Sequence, residues 1–288
     1  MSQRYFVAYT SYMSIQSLQS TTDLCQEFLA HVKHNRALPT WKFYKFYLDK
    51  FITQVPNNFN ELKSFHLQKF SDYYRDNTKR NCIRSVKSCF TWLQDQDYID
   101  HSPFQKVKRP QEIFDDACLT PEQYQQILTI TTGKFKEIIV FMRLSGIRVS
   151  EMRQLHSDFL QDHAFIIPRK QSKGARTERT ILLTNEAHEM IKSKIGFIFT
   201  NRYGKPYTAN SLHHHCKQIS KIVGFPFHLG LLRKYFIVQS LVAGVDVISL
   251  SRIVGHSDLK TMNLYYAKLE ARSQHLRDML DRCTTPQS

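Results

Sequence analysis

Four short stretches of this chain carry side chains suited to phosphate chemistry. Arg148 sits in Ser145-Gly146-Ile147-Arg148-Val149-Ser150-Glu151, and Arg233 in Leu231-Leu232-Arg233-Lys234-Tyr235. Lys170 and Lys173 flank a polar stretch that ends at Gly174. His256 follows Val254-Gly255, and Tyr265 comes nine residues after it. Breaking a phosphodiester without a metal needs fixed positive charge on the two non-bridging oxygens, where charge builds in the transition state. Arginine suits that task because its planar fork grips two oxygens and keeps its proton. A tyrosine hydroxyl can attack phosphorus, and a lysine or histidine can hand a proton to the departing 5′ oxygen. The resulting phosphotyrosine ester stores the bond energy, so resealing needs neither ATP nor metal.

Elements of two kinds must position these groups. The first third reads as helices. Thr22 is the expected cap of a helix with Leu24, Phe28 and Val32 at four-residue spacing. A second helix follows Pro39 with Trp41, Tyr44, Leu48 and Phe51 on one face, and a less regular one spans 61–74. From Thr78 to Leu93, Ile83, Val86, Phe90 and Leu93 form an apolar stripe, and Arg80, Arg84 and Lys87 a separate basic stripe expected to face solvent and lie along phosphates. Residues 101–118 read as a linker with Pro103, Pro110, Lys106, Lys108 and Arg109. A new domain starts where Thr120, Pro121 and Gln123 form a capping box. Helices are expected over 121–131 and 134–144, then, after the Ser145-Gly146 turn, from Arg148 through Leu155. Strands are expected over 164–167 and 180–183 around a hairpin tip at 169–179, with helices dominating from Asn185 onward.

Composition narrows the partners. The 288 residues hold 40 Lys+Arg against 25 Asp+Glu, a formal net charge of +15. A polyanion is the natural partner for such a surface, and nucleic acid leads the possibilities. No apolar run reaches the roughly 18–20 residues a bilayer requires, so no membrane partner is expected. The six cysteines are scattered without a Cys-x-x-Cys pair and read as reduced thiols of a cytoplasmic protein. His213-His214-His215-Cys216 tempts a metal reading. Neighbours on a helix point apart, however, and only His213 and Cys216 would share a face. No metal site and no cofactor are expected.

The set resembles the tyrosine recombinase family, the phage integrase and Xer-like proteins. That family carries a Gly-x-Arg-x-x-Glu box, a hairpin lysine, a His-x-x-Arg box, and Leu-Gly-His followed nine residues later by tyrosine. This chain reads Gly146-Ile147-Arg148-Val149-Ser150-Glu151, then Arg233 and, 23 residues on, Val254-Gly255-His256 with Tyr265 in place. The resemblance spans nearly the whole chain. It implies a mostly α fold with a small β-sheet: a helical SAM-like core-binding domain (1–105), a linker (106–118) and a mixed α/β catalytic domain (119–288) ending in an oligomerisation helix around 269–280. It implies that Arg148 and Arg233 clamp the scissile phosphate and that Glu151 braces the site from behind. By the same resemblance Lys173 is expected to be the general acid, with Lys170 competing because the hairpin is longer than usual, His256 is expected to bond the phosphate or assist proton transfer, and Tyr265 is expected to be the nucleophile, favoured over Tyr266 by spacing. The implied partners are double-stranded DNA and three further copies, in a homotetramer joining two DNA sites through a Holliday junction.

One position departs from the pattern. Gly230 stands three residues before Arg233, where the family has histidine; His228 lies two residues further upstream. Either His228 swings in from a loop preceding a helix that begins near Leu231, or the role is lost. The second case leaves a slower enzyme or an inactive DNA-binding protein on the same fold. Relaxation of supercoiled DNA by a type IB topoisomerase-like monomer is a further alternative.

Overall fold

The computed structural model describes residues 20–113, 117–168 and 179–255. The chain divides into two compact units at Asp115/Asp116.

The first unit is helical: α1 (Thr21–Asn35), α2 (Leu38–Ile52), a 3-10 turn (Phe59–Glu61), α3 (Ser64–Ser71) and α4 (Asp76–Asp95). Its core is aromatic. Phe51 meets the edges of Phe70 and Phe104 at 5.3 and 5.6 Å, and Phe104 meets Phe90 at 4.7 Å. Three local expectations change here. Ser20, not Thr22, caps α1: its Oγ accepts from the Asp23 amide, while Thr22 lies inside the helix and donates to Asn57 Oδ1 at 2.8 Å. The third helix is split, because Leu62 and Lys63 are extended and Leu62 drops into the core. The segment read as the start of a linker packs on this unit: Phe104 and Val107 are buried in its core, and Asn77 pairs with both backbone groups of Ile113 at 2.6 and 2.9 Å.

The second unit mixes helices with a small sheet. Thr120 and Gln123 close the expected capping box on α5 (Pro121–Ile130), at 3.2 and 3.0 Å. Then come α6 (Gly133–Ser145), α7 (Val149–Met152), a 3-10 turn (Ser157–Phe159), β1 (Leu160–Gln161), β2 (Ala164–Ile167), β3 (Arg179–Leu182), α8 (Asn185–Glu189), α9 (Ala209–Val223), α10 (Gly230–Val242) and α11 (Val247–Val254). The sheet is antiparallel in the order β1-β2-β3, with Phe165 opposite Ile181. Phe165, Ile167 and Ile181 are fully buried against the helices. β1 is too short to show as a pattern, and β3 starts one residue earlier than expected. The helix expected through Leu155 stops at Met152. Leu155 turns into the core instead, and its carbonyl accepts from Ile198 at 2.9 Å. Among the described residues no helix is long and apolar enough to cross a membrane.

Candidate active site

Three elements of the second unit bring the two arginines to one place. Gly146 ends α6 in the left-handed region (φ 58°), which turns the chain sharply before Arg148. Phe236 of α10 fills the space beside it; a Cβ on Gly146 would stand 2.3 Å from Phe236 Cδ1. The turn and α10 are thus in direct contact, and Arg233 lies three residues before Phe236. A Tyr124–Tyr235 ring stack at 5.3 Å fastens α10 to α5. Burial raises the hydroxyl pKa of both tyrosines, against a smaller lowering by Arg143.

Main-chain carbonyls take part in holding both guanidinium groups. Arg233 Nη1 donates to the Gly146 carbonyl and Nη2 to the Val254 carbonyl, both at 2.6 Å. Arg148 Nη2 donates to the Gly255 carbonyl. The two arginines therefore grip successive carbonyls at the C-terminal end of α11, where the helix dipole favours cations. Gly255 (φ 63°) closes that end. Glu151 completes the arrangement. It is fully buried, accepts from Arg148 Nη1 at 2.9 Å, and its other oxygen accepts from the Arg148 amide at 3.1 Å. Arg148 itself keeps a quarter of its side chain exposed. The Glu151 carboxylate thus pairs with Arg148, and the two guanidinium groups gathered here offer positive charge suited to an anion.

The structure therefore brings Arg148, Glu151 and Arg233 together, with the backbone just before His256. Lys170, Lys173, His256, Tyr265, Tyr266 and the 269–280 segment lie outside the described residues. His228 is exposed on the approach to α10, between buried Phe227 and Leu229. Sequence reasoning missed the carbonyls of Gly146, Val254 and Gly255 as partners, since a backbone acceptor leaves no residue type to read; the two glycines were the available signal.

The basic side chains of the first unit behave differently from expectation. Arg80, Arg84 and Lys87 do not form a solvent-facing stripe; all three are half-buried. The segment after Phe104 lies over them. Lys87 Nζ donates to the carbonyls of Gln105 and Val107 at 2.9 and 2.8 Å, and Arg80 pairs with Glu112 at 3.1 Å. Arg84 stacks over Phe43 at 4.8 Å. Lys106, Lys108 and Arg109 are exposed. Arg109 joins Arg84, Lys87, Thr91 and Trp92 around one surface groove.

His213 and His214 are exposed, while His215 stacks on Phe135 at 4.7 Å. Burial, then the neighbouring His214, lower the His215 pKa. Cys216 is buried and its thiol is pushed up to about 11 by burial. No metal-binding cluster of histidine, cysteine and carboxylate groups occurs among the described residues.

Comparison with known proteins fits this site. Residues 117–272 match the phage integrase family. The chain is 24% identical over 242 residues to tyrosine recombinase XerA of Saccharolobus solfataricus, covering 81% of this chain and 77% of that protein. Among solved structures, the Tn1549 transposon integrase in complex with transposon right end DNA superposes with a TM-score of 0.68 at 19% identity, over 88% of this chain and 98% of that one. A lambda integrase tetramer bound to a Holliday junction gives 0.69 at 11% identity, over 83% of this chain and 78% of that one. The chain belongs to the phage integrase family, the tyrosine recombinases, and its activity is site-specific recombination of DNA.

Proposed function

We propose that this recombinase cuts and rejoins duplex DNA through a covalent 3′-phosphotyrosine on Tyr265. Arg148 and Arg233 hold the two non-bridging oxygens of the scissile phosphate, and Glu151 keeps Arg148 aimed. The tyrosine oxygen bonds to phosphorus, its proton passing to a base at the site, for which His256 is the candidate. The bond to the 5′ oxygen breaks, and Lys173 supplies that oxygen with a proton. Religation runs the same steps backwards with a new 5′ hydroxyl. The observation that carries this reading is the convergence of two arginines from separate elements on the end of α11, immediately before His256, which precedes Tyr265 by nine residues in the sequence. Three main-chain carbonyls, besides the Glu151 carboxylate, hold the two guanidinium groups in place.

Residues 1–105 serve as the core-binding domain and 119–288 as the catalytic domain. Exposed Lys106, Lys108 and Arg109 contact the DNA backbone, and the net charge of +15 supports that role. Four copies assemble on two DNA sites, as the lambda tetramer on a Holliday junction does. Location in the cytoplasm, on DNA, follows from that partner. The test is covalent trapping. A duplex enriched for binding from random sequence is nicked so that cleavage cannot be reversed, incubated with wild type or Tyr265→Phe, denatured and resolved on a gel. An adduct lost in the variant supports the reading. Tight binding with no adduct from wild type overturns it in favour of a DNA-binding protein without cleavage activity.

A further inference from the structure

We propose that His228 supplies the imidazole this active site lacks at position 230, and that Gly230 is the vacancy that admits it. The inference rests on the phosphotyrosine reading above and deepens it by one substrate-contacting residue. Gly230 and Arg233 are three apart on α10, so they share a face, about 5–6 Å apart at the Cβ positions. A side chain at 230 would rise from the helix beside Arg233. That volume is taken. A Cβ built on Gly230 lands 2.9 Å from His228 Nδ1 and 3.1 Å from its Cε1. Among the described residues, and apart from the flanking residues and the helix's own backbone, the His228 ring is the sole neighbour within 4 Å.

The local chain makes this placement firm. Phe227 is buried, and its amide donates to Ser220 Oγ of α9 at 2.8 Å. Leu229 is buried in helical geometry (φ −59°, ψ −24°). With both neighbours turned inward, His228 points outward, and its carbonyl accepts from the Leu231 amide at 2.9 Å. The helix thus starts one residue earlier than Leu231, at Gly230, and the ring folds back over the first turn. Gly230 is not among the residues with positive φ, so its backbone would accept alanine; what excludes a side chain is the ring. The imidazole is exposed and lies on the face of Arg233. There it can donate a hydrogen bond to a non-bridging oxygen of the same phosphate, with no proton transfer required of it.

The vacancy and the ring act as one device, so their loss should not add. On the nicked duplex, His228→Ala and Gly230→Ala should each lower single-turnover cleavage by about 10²-fold, the scale of one lost phosphate donor, with DNA affinity held within about two-fold. The double variant should be no slower than His228→Ala. Placing the imidazole directly at the helix, as Gly230→His in the His228→Ala background, should recover about ten-fold or more of the loss. That recovery separates a phosphate contact from a merely structural role. Wild-type cleavage rates in His228→Ala overturn the proposal, as do additive losses in the double variant or a harmless Gly230→Ala. Those results leave the wild-type adduct in place, so Tyr265 chemistry stands. If wild type binds the duplex and forms no adduct, the parent reading fails and this one falls with it.

Discussion

Both units contain a pair of half-buried arginines, and the contrast between the pairs explains which can do chemistry. In the first unit Arg80 reaches Glu112, a carboxylate side chain 68% exposed, and Arg84 lies over a ring. Their Nε atoms are buried without a hydrogen-bond partner among the described residues. In the second unit Arg148 and Arg233 are held by three backbone carbonyls and a fully buried carboxylate. A carbonyl in folded main chain has no rotamer to change, so the second pair is as fixed as the chain itself. Preorganised charge is what lowers a barrier, because no reorganisation is required as charge develops. In the first pair Arg80 instead ties a crossing segment to α4, and Arg84 packs α4 against Phe43 of α2.

Five substitutions sharpen that contrast, in falling order of effect. Glu151→Ala leaves the Arg148 amide and Nη1 without their acceptor, and should cost about 3 kcal/mol on a denaturant melt, with cleavage lost as Arg148 loosens. An unchanged melt would mean that the buried carboxylate is not what holds Arg148. Gly146→Ala places a Cβ against Phe236 at a left-handed position, which should cost about 2 kcal/mol. It should also slow cleavage, since the displaced carbonyl is the one that Arg233 grips; normal cleavage would break that link. Lys87→Met should destabilise by about 1 kcal/mol, through the lost bonds to the 105–107 backbone. Its salt slope for DNA binding should stay unchanged, whereas Arg109→Ala should flatten that slope by about one counterion without loss of stability. The reverse pattern would return Lys87 to phosphate binding.

The smallest effect concerns pH. The His215 pKa is lowered in the folded chain, so the unfolded chain takes up the proton first as pH falls. Stability should be fully present above about pH 6.5, the ordinary histidine value, and decline below it. Melting His215→Phe beside wild type at both sides of that value should show a flatter acid limb in the variant. Parallel limbs would remove His215 as a cause.

Legibility in the sequence followed the kind of partner each residue has. Arg148, Glu151 and Arg233 were readable because their spacing is a pattern of residue types, and Thr120 with Gln123 because a capping box is local. The carbonyls of Gly146, Val254 and Gly255 were not, since every residue owns one and the fold decides which it offers. The α4 stripe was misjudged for a similar reason. Periodicity separates an apolar face from a polar one, but cannot tell that residues 105–112 will later cover the polar face. Helix ends moved wherever a tertiary demand outweighed local preference: Leu155 left its helix for the core, and Leu62 broke another for the same reason. The His228–Gly230 relation showed as a missing histidine in the sequence, and as an occupied vacancy in the structure.

The central claim is that Arg148 and Arg233 are fixed in order to balance charge on the phosphate. Its most direct test is the cleavage rate of Arg148→Ala and Arg233→Ala on two duplexes, one with an ordinary scissile phosphate and one with a methyl group replacing a non-bridging oxygen. On the ordinary phosphate each variant should be slower than wild type by about 10²–10³-fold. On the methylphosphonate the charge to be balanced is smaller, so the deficit of at least one variant should shrink to about ten-fold or less. Equal deficits on both substrates would contradict the account and reduce the two arginines to fasteners of α11.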